Sequence, residues 1–293
     1  MTKPIYSYAN GEYLLTDEVS INVSQDMLGT FRGYRIFTAC RTLNNGNIFH
    51  LDNHIERLFY SAKKISMRLP HNPTTLKEII LRLVSKNVAA GDILLQIMYS
   101  GGSPTPGTLA PKGAAHLYIL AFPLTTPSDK WYQNGITLAS FVYQRQWPEV
   151  KLLGYVGGVV AGQTVVKNHK ADDALFISPL DHQTILEGTT FSIFSVNEDG
   201  HLMTPPLDGR ILDGITRKIL INLAQSNRLQ LSETTITLNM LGEMKELFFV
   251  SSTKNVVPVV RVDRQLIGNG NPGQLTNHMG KLLKSYQKSY VNN

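Results

Sequence analysis

The chain has 293 residues, with 28 basic and 22 acidic side chains, a net charge of +6, and 42% hydrophobic against 17% charged residues. That length carries two domains of ordinary size, and the composition excludes wholesale disorder. Its one cysteine, Cys40, excludes an intrachain disulfide framework and a thiolate metal cluster.

The positive surplus is spread along the chain and forms no basic stripe with interleaved aromatics, so a small anionic ligand is expected and nucleic acid is not. The nearest cluster, Lys281, Lys284 and Lys288, reads as a solvated helix face. The opening MTKPIYSYANGEYLL lacks a basic segment followed by an apolar run, and no stretch reaches the roughly 18 apolar residues of a membrane span. A soluble, cytoplasmic protein without a membrane partner is the expectation.

The first forty residues read as strand and turn, with Asn10-Gly11 as a hairpin signal in IYSYANGEYLL. A helix follows, with Asn53 as its cap, Glu56 three residues on, and Leu51, Ile55, Leu58, Phe59, Ala62 and Ile65 at helical spacing. A second helix is predicted over Thr74–Asn87. Strand-like runs Ile93–Tyr99 and Ala115–Phe122 then flank SGGSPTPGTLAPKG, which reads as a long loop. FPLTTPSDKW, residues 122–131, is the expected linker between an N-terminal α/β domain (1–122) and a C-terminal domain (132–293). Beyond it a strand is expected at Ile136–Tyr143, a helix from Gly154 to Asn168, and strands at Ala174–Ser178, Thr184–Glu187 and Thr190–Val196. Asp213 is the expected cap of a helix running to Ala224, with further strands at Leu247–Ser251 and Val256–Val262. The elements mix without a strict βαβ repeat, which points to a two-domain α/β or α+β fold; G-x-G-x-x-G and Walker sequences are absent.

Five places could carry chemistry. Lys151 ends FVYQRQWPEVK and leads into the charge-poor LLGYVGGVVAG. An amine held against apolar surface loses ammonium stability and becomes usable for a Schiff base, although a lysine snorkelling at a helix start reads the same way. Glu187 in TILEGTTFSIF lies between two apolar runs. It could face a protonated pyridine nitrogen or be a turn residue facing water. LDGITRK offers Ile215 and Thr216 in a helix first turn, VSSTKN offers Ser252 and Thr253 at a strand end, and HIERL offers Arg57. Helix-start N–H groups, hydroxyls and an arginine are the donors a phosphate needs. His50 and His54 share i,i+4 spacing, but no acidic partner completes a metal motif. Ser61-Ala62-Lys63-Lys64 matches S-x-x-K without its companion elements. No G-x-S-x-G elbow occurs, and Cys40 has no visible base.

In order, NGNIFHLDNHIERLFYSAKKI, VKLLGYVGGVVAGQ, ADDALFISPLDHQTILEGTTFSIFSV, TPPLDGRILDGITRKIL and ELFFVSSTKNVVPVVRVD resemble the class IV aminotransferases. That family includes branched-chain aminotransferases, D-amino-acid transaminases and aminodeoxychorismate lyases. The resemblance implies a smaller N-terminal α/β domain and a larger C-terminal domain, with pyridoxal 5'-phosphate between them, and a homodimer. It implies Lys151 as the covalent anchor and proton carrier at the substrate's α carbon. Glu187 would pair with the ring nitrogen, and Tyr155 would lie beside the ring oxygen. Arg57, Ile215, Thr216, Ser252 and Thr253 would bind phosphate.

Departures fall on the substrate side. The family's Y-G-D-G-x-F-E stretch reads FRGYRIFTACR, which sets Thr38 where the family has glutamate, as lyases tend to. Gly154 and Ser192 replace asparagines, and Gln96 stands where many members carry a basic residue. YSGGSPTPG lacks the arginine and histidine with which D-amino-acid transaminases grip a carboxylate. Phe37, Thr38, Arg41 and Gln96 are the candidate substrate residues, and Arg32, Arg35 and Arg41 the candidate carboxylate partners. The leading expectation is transfer between a branched-chain-like amino acid and a 2-oxo acid. The rivals are elimination of pyruvate from aminodeoxychorismate and a non-catalytic descendant of the fold.

Overall fold

The computed structural model describes residues 3–43 and 46–291. The chain divides into two compact units: residues up to Thr125, together with Val150–Gly154 and the stretch from Lys288, and Thr126–Glu149 with Tyr155–Gln287.

In the first unit, β1 (Tyr6–Ala9) and β2 (Glu12–Leu15) form the hairpin whose turn residues Asn10 and Gly11 both have positive φ, as a two-residue turn of the primed type requires. A short α1 (Met27–Arg32), absent from the sequence prediction, precedes β3 (Arg35–Leu43) and β4 (Asn47–Ile48). Then come α2 (Leu51–Lys64), α3 (Pro73–Asn87), β5 (Ile93–Ser100) and β6 (His116–Pro123). The sheet is antiparallel in the order β2-β1-β6-β5-β3-β4. Its helix-covered face contributes Ile36, Cys40, Leu95 and Ile97 to one core with Ile55, Leu58, Leu76, Ile80 and Leu83. Each such Ile or Leu contributes about 1.5–3 kcal/mol.

α2 begins three residues earlier than the Asn53 cap predicts. His50, in the left-handed region, is its N-cap, and Asn53 lies inside the first turn with its Oδ1 2.9 Å from the His50 ring. α3 follows its signals: Asn72 accepts from the Thr75 N–H at 2.9 Å and Pro73 occupies the first turn.

The 100–113 segment is an ordered arm that folds back on itself. Pro104 bridges Pro111, the Thr105 N–H donates to Ala110 O at 2.7 Å, and the Lys112 N–H donates to Ser103 O at 2.9 Å. Its base is tied down by the fully buried Asp26, which accepts from Arg35 Nη2 at 2.6 Å, Ser100 Oγ at 2.7 Å and Gly102 N–H at 3.0 Å.

The second unit opens with α4 (Asp129–Asn134) and β7 (Ile136–Val142). The helix expected over 154–168 is α5 (Val156–Ala161), a wide turn over 162–166 and the short α6 (Lys167–His169). β8 (Asp173–Ile177), β9 (Ile185–Gly188), β10 (Ser192–Val196) and β11 (Leu202–Thr204) follow, then α7 (Ile215–Ser226), β12 (Leu231–Glu233), β13 (Glu246–Ser251), β14 (Asn255–Val262) and β15 (Gln265–Leu266). The sheet runs β12-β11-β10-β13-β14-β7-β8-β9, mixed in direction, with β15 on β14. Its core includes Ile136, Leu175, Ile177, Ile193 and Val257, and Phe191 stacks on Phe249 with centroids 4.0 Å apart. The last helix, α8 (Gln274–Ser289), is capped by Glu246, which accepts from the Leu275 and Thr276 N–H groups at 2.9 and 2.6 Å. α8 buries Met279 and Leu283 and exposes Lys281, Lys284 and Lys288. Among the described residues, no helix is long and apolar enough to cross a membrane, and no cluster of His, Cys, Asp and Glu could hold a metal ion.

Candidate active site

Lys151 lies on the short stretch that returns to the first unit, where it is laid along β3. The Phe37 N–H donates to Lys151 O at 3.0 Å, the Leu153 N–H donates to Arg35 O at 3.0 Å, and Ile36 bridges Leu152. The Lys151 N–H donates to Ser61 Oγ of α2 at 3.2 Å, and Ser61 is fully buried. With its backbone held on both sides, Lys151 rests its ammonium 5.0 Å from the centroid of the Phe37 ring. The sequence reading assigned residues 150–154 to the second domain; pairing with β3 is the reason they group with the first unit.

α2 carries His54, Arg57 and Ser61 at i, i+3 and i+7, one helix face. Arg57 Nη2 donates to Thr38 Oγ1 at 2.8 Å, and the same hydroxyl is 2.7 Å from His54 Nδ1. Thr38 and His54 are buried. Burial, followed by the charges of Arg57, His50 and Lys151, pushes the His54 pKa well below its usual 6.5. The sign of the linkage follows: below 6.5 the unfolded chain binds a proton that the folded chain refuses, so stability falls as pH drops from 6.5 toward the depressed folded value. A His54→Phe variant is expected to lose that part of the acid slope, read from denaturant midpoints between pH 7 and 5.

Among the other substrate-side candidates, Phe37 and Arg41 are buried on β3, and Gln96 is half-buried on β5 opposite Ala39. Arg32 is exposed and donates to Phe31 O, while Arg35 is committed to Asp26 and to Ser100 Oγ at 2.8 Å. His50 and His54 do not form a metal pair: the His50 ring turns to Asn53 and His54 to Thr38.

The second unit holds the carboxylate. Glu187, on β9, is buried; its Oε1 accepts from Arg145 Nε at 2.7 Å and its Oε2 from the Leu212 N–H at 3.2 Å. Gly188, just after it, leaves room for the Phe191 ring, with which any β-carbon would collide. Arg145 is itself buried and also donates to Pro148 O at 2.7 Å. Desolvation opposes its charge, but Glu187 and then the nearby Tyr155 and Tyr143 outweigh it, and the net pKa shift is upward. Arg145 is the residue that sequence reasoning missed, because nothing in QRQWPEV distinguishes it from a surface arginine. Ser61 was in view within HIERLFYSA, but nothing in that segment shows that its hydroxyl takes the Lys151 N–H.

Leu212 leads into α7. The N-cap is Gly214 and not Asp213, which instead pairs with Lys218 at 2.5 Å. A β-carbon at Gly214 would lie 2.7 Å from Ser192 Oγ, so only glycine fits the close approach. With no side chain capping it, the start of this 12-residue helix keeps its first-turn N–H groups for an anion. Thr216 Oγ1 lies 3.3 Å from Ser252 Oγ, with Thr253 in the same turn after β13. Tyr155 precedes α5 and is half-buried. Glu187, Ile215, Thr216 and Ser252 are thus linked within one unit, as are Lys151, Thr38 and Arg57 within the other.

One unit thus holds a lysine against an aromatic ring, and the other holds a buried arginine-paired glutamate and an uncapped helix start. The chain matches the family model "Amino-transferase class IV" over residues 35–262, and it belongs to that family. Class IV aminotransferases are pyridoxal-phosphate-dependent enzymes that exchange an amino group between an amino acid and a 2-oxo acid. A Methanocaldococcus jannaschii protein provisionally named a branched-chain-amino-acid aminotransferase is 28% identical over 97% of this chain and 96% of its own. A D-alanine aminotransferase of Bacillus licheniformis is 29% identical over 94% and 95%. The fold matches the branched-chain amino acid aminotransferase of Escherichia coli with a TM-score of 0.87, at 23% identity over 97% of this chain and 94% of that one.

Proposed function

We propose that the chain is a pyridoxal-phosphate enzyme that moves amino groups between branched-chain-like amino acids and 2-oxo acids, acting as a homodimer in the cytoplasm. The observation that carries this reading is the immobilised Lys151: backbone N–H on Ser61, carbonyl on Phe37 and amine over an aromatic face. The donor set fits the cofactor: an amine for the aldehyde, a carboxylate for the ring nitrogen, and an arginine, hydroxyls and an uncapped helix start for the phosphate. When bound, pyridoxal phosphate supplies an aldehyde that takes up the amino group and a ring that draws electrons from the substrate's α carbon.

Lys151 would hold the cofactor through its amine, and the same amine would move the proton at the substrate's α carbon. Glu187, held by Arg145 and the Leu212 N–H, would pair with the ring nitrogen, and Tyr155 would serve the ring oxygen. Arg57, the Ile215 N–H, Thr216, Ser252 and Thr253 are the groups that would bind the phosphate. Phe37 offers an apolar wall to the substrate, beside Arg41 and Gln96. The hydroxyl of Thr38, whose identity points toward the lyase, is engaged by Arg57 and His54, which supports transfer over elimination. Exposed Val156 and Val159 on α5 give a homodimer apolar surface to cover.

The test is a single-turnover panel on cofactor-loaded protein. L-leucine and L-valine are each expected to donate their amino group without a second substrate, at least about 10-fold faster than D-alanine, a margin that needs only about 1.4 kcal/mol. Pyruvate release from aminodeoxychorismate without an acceptor would overturn the proposal.

A further inference from the structure

We infer that Thr38 and His54 form a neutral hydroxyl–imidazole dyad that orients the Arg57 guanidinium, making both of them positioning residues for the anionic group that Arg57 binds. The inference rests on the reading of Arg57 as a phosphate ligand.

The proton directions follow from the donor inventory. A guanidinium only donates, so Thr38 Oγ1 accepts from Arg57 Nη2 at 2.8 Å. The hydroxyl proton is then best used on His54 Nδ1, 2.7 Å away, with the imidazole's own proton on Nε2. Protonating Nδ1 would turn two donors onto one hydroxyl oxygen and leave the Thr38 proton needing a new acceptor. His54 is 1% exposed, and burial and the Arg57, His50 and Lys151 charges all disfavour the imidazolium. With Nδ1 unprotonated, the Thr38 hydroxyl donates to the imidazole while accepting from the guanidinium, and one chain links all three groups.

The placement is rigid at both ends. Thr38 lies between Ile36 and Cys40 on the face of β3 that shares a core with α2, in antiparallel register with Ile97 of β5. His54 and Arg57 are one helical turn apart on α2. Sheet and helix thus fix the hydroxyl relative to the base of the arginine side chain, and the last hydrogen bond fixes the rotation of its planar fork. Such a fork binds a phosphate through paired N–H groups only in one orientation, so losing the hydroxyl costs anion affinity even though the arginine remains.

The experiment measures equilibrium binding of pyridoxal phosphate and of pyridoxal, which lacks the phosphate, to the cofactor-free full chain by absorbance titration. Wild type is compared with Arg57→Ala, Thr38→Val, Thr38→Ala, Thr38→Ser and His54→Phe. Thr38→Val is expected to weaken pyridoxal phosphate about 10-fold or more, the scale of a hydrogen bond to a charged group, while pyridoxal changes less than about 2-fold. Thr38→Ser is expected to restore wild-type binding and His54→Phe to act like Thr38→Val. Thr38→Ala repeats the test should the buried isostere fail to fold. If Arg57→Ala itself does not separate the two ligands, the phosphate reading of Arg57 falls. If Arg57→Ala separates them but the Thr38 variants bind both as wild type does, or lose both equally, the dyad is structural only and the inference is overturned.

Discussion

Lys151→Ala is expected to abolish amino transfer, lowering turnover by more than the roughly 10²–10⁴-fold that removing a general acid–base group alone costs. The loss should exceed that range because the same amine is also the covalent anchor. Lys151→Arg should fail nearly as completely, since it keeps a positive charge above Phe37 but offers no amine that can condense with an aldehyde. Both variants should fold, because the contacts that hold this stretch on β3 come from the backbone of Lys151 and Leu153. Borohydride treatment of the loaded protein supplies the second readout: it should fix the cofactor to wild type and leave both variants unlabelled. Substantial turnover by Lys151→Ala would remove the proposed mechanism at its centre.

Arg145→Met is expected to cost about 3–5 kcal/mol, because it leaves the Glu187 carboxylate buried beside apolar neighbours without its cation. Glu187→Met should cost a similar amount by leaving Arg145 stranded. The double variant Arg145→Met/Glu187→Met should recover most of the loss, since well-packed apolar groups often replace a buried pair at little cost. Activity should not recover with it, because nothing then serves the ring nitrogen. Denaturant midpoints at constant slope, measured beside turnover, separate the two effects. A stable single variant would show that water reaches the pair. An active double variant would show that Glu187 has no role at the ring.

Legibility in the sequence followed the range of the interaction concerned. Segments whose structure is decided within a few residues were readable: the Asn10-Gly11 turn, the existence of α3, and α2 with its apolar stripe. The same locality made the family visible, because HIERLFYSA, VKLL, LEGTT, LDGITR and VSST each keep their spacing. Where two local signals compete, reading failed. Asn53 and Asp213 are both good caps by composition, yet the chain path uses His50 and Gly214, the latter because only glycine fits against Ser192.

Partnership was decided by the tertiary structure. Composition, charge and local pattern determined a two-part α/β chain with a candidate lysine, glutamate and phosphate donors. They could not determine that Arg145 belongs to Glu187, 42 residues away, or that Ser61 holds the Lys151 N–H across 90 residues. Nor could they show that Thr38 spends its hydroxyl on His54 and Arg57. The physical reason is one of range. Backbone propensity and amphipathic period act between neighbours in sequence, whereas a buried polar group must find its partner wherever the folded chain brings one.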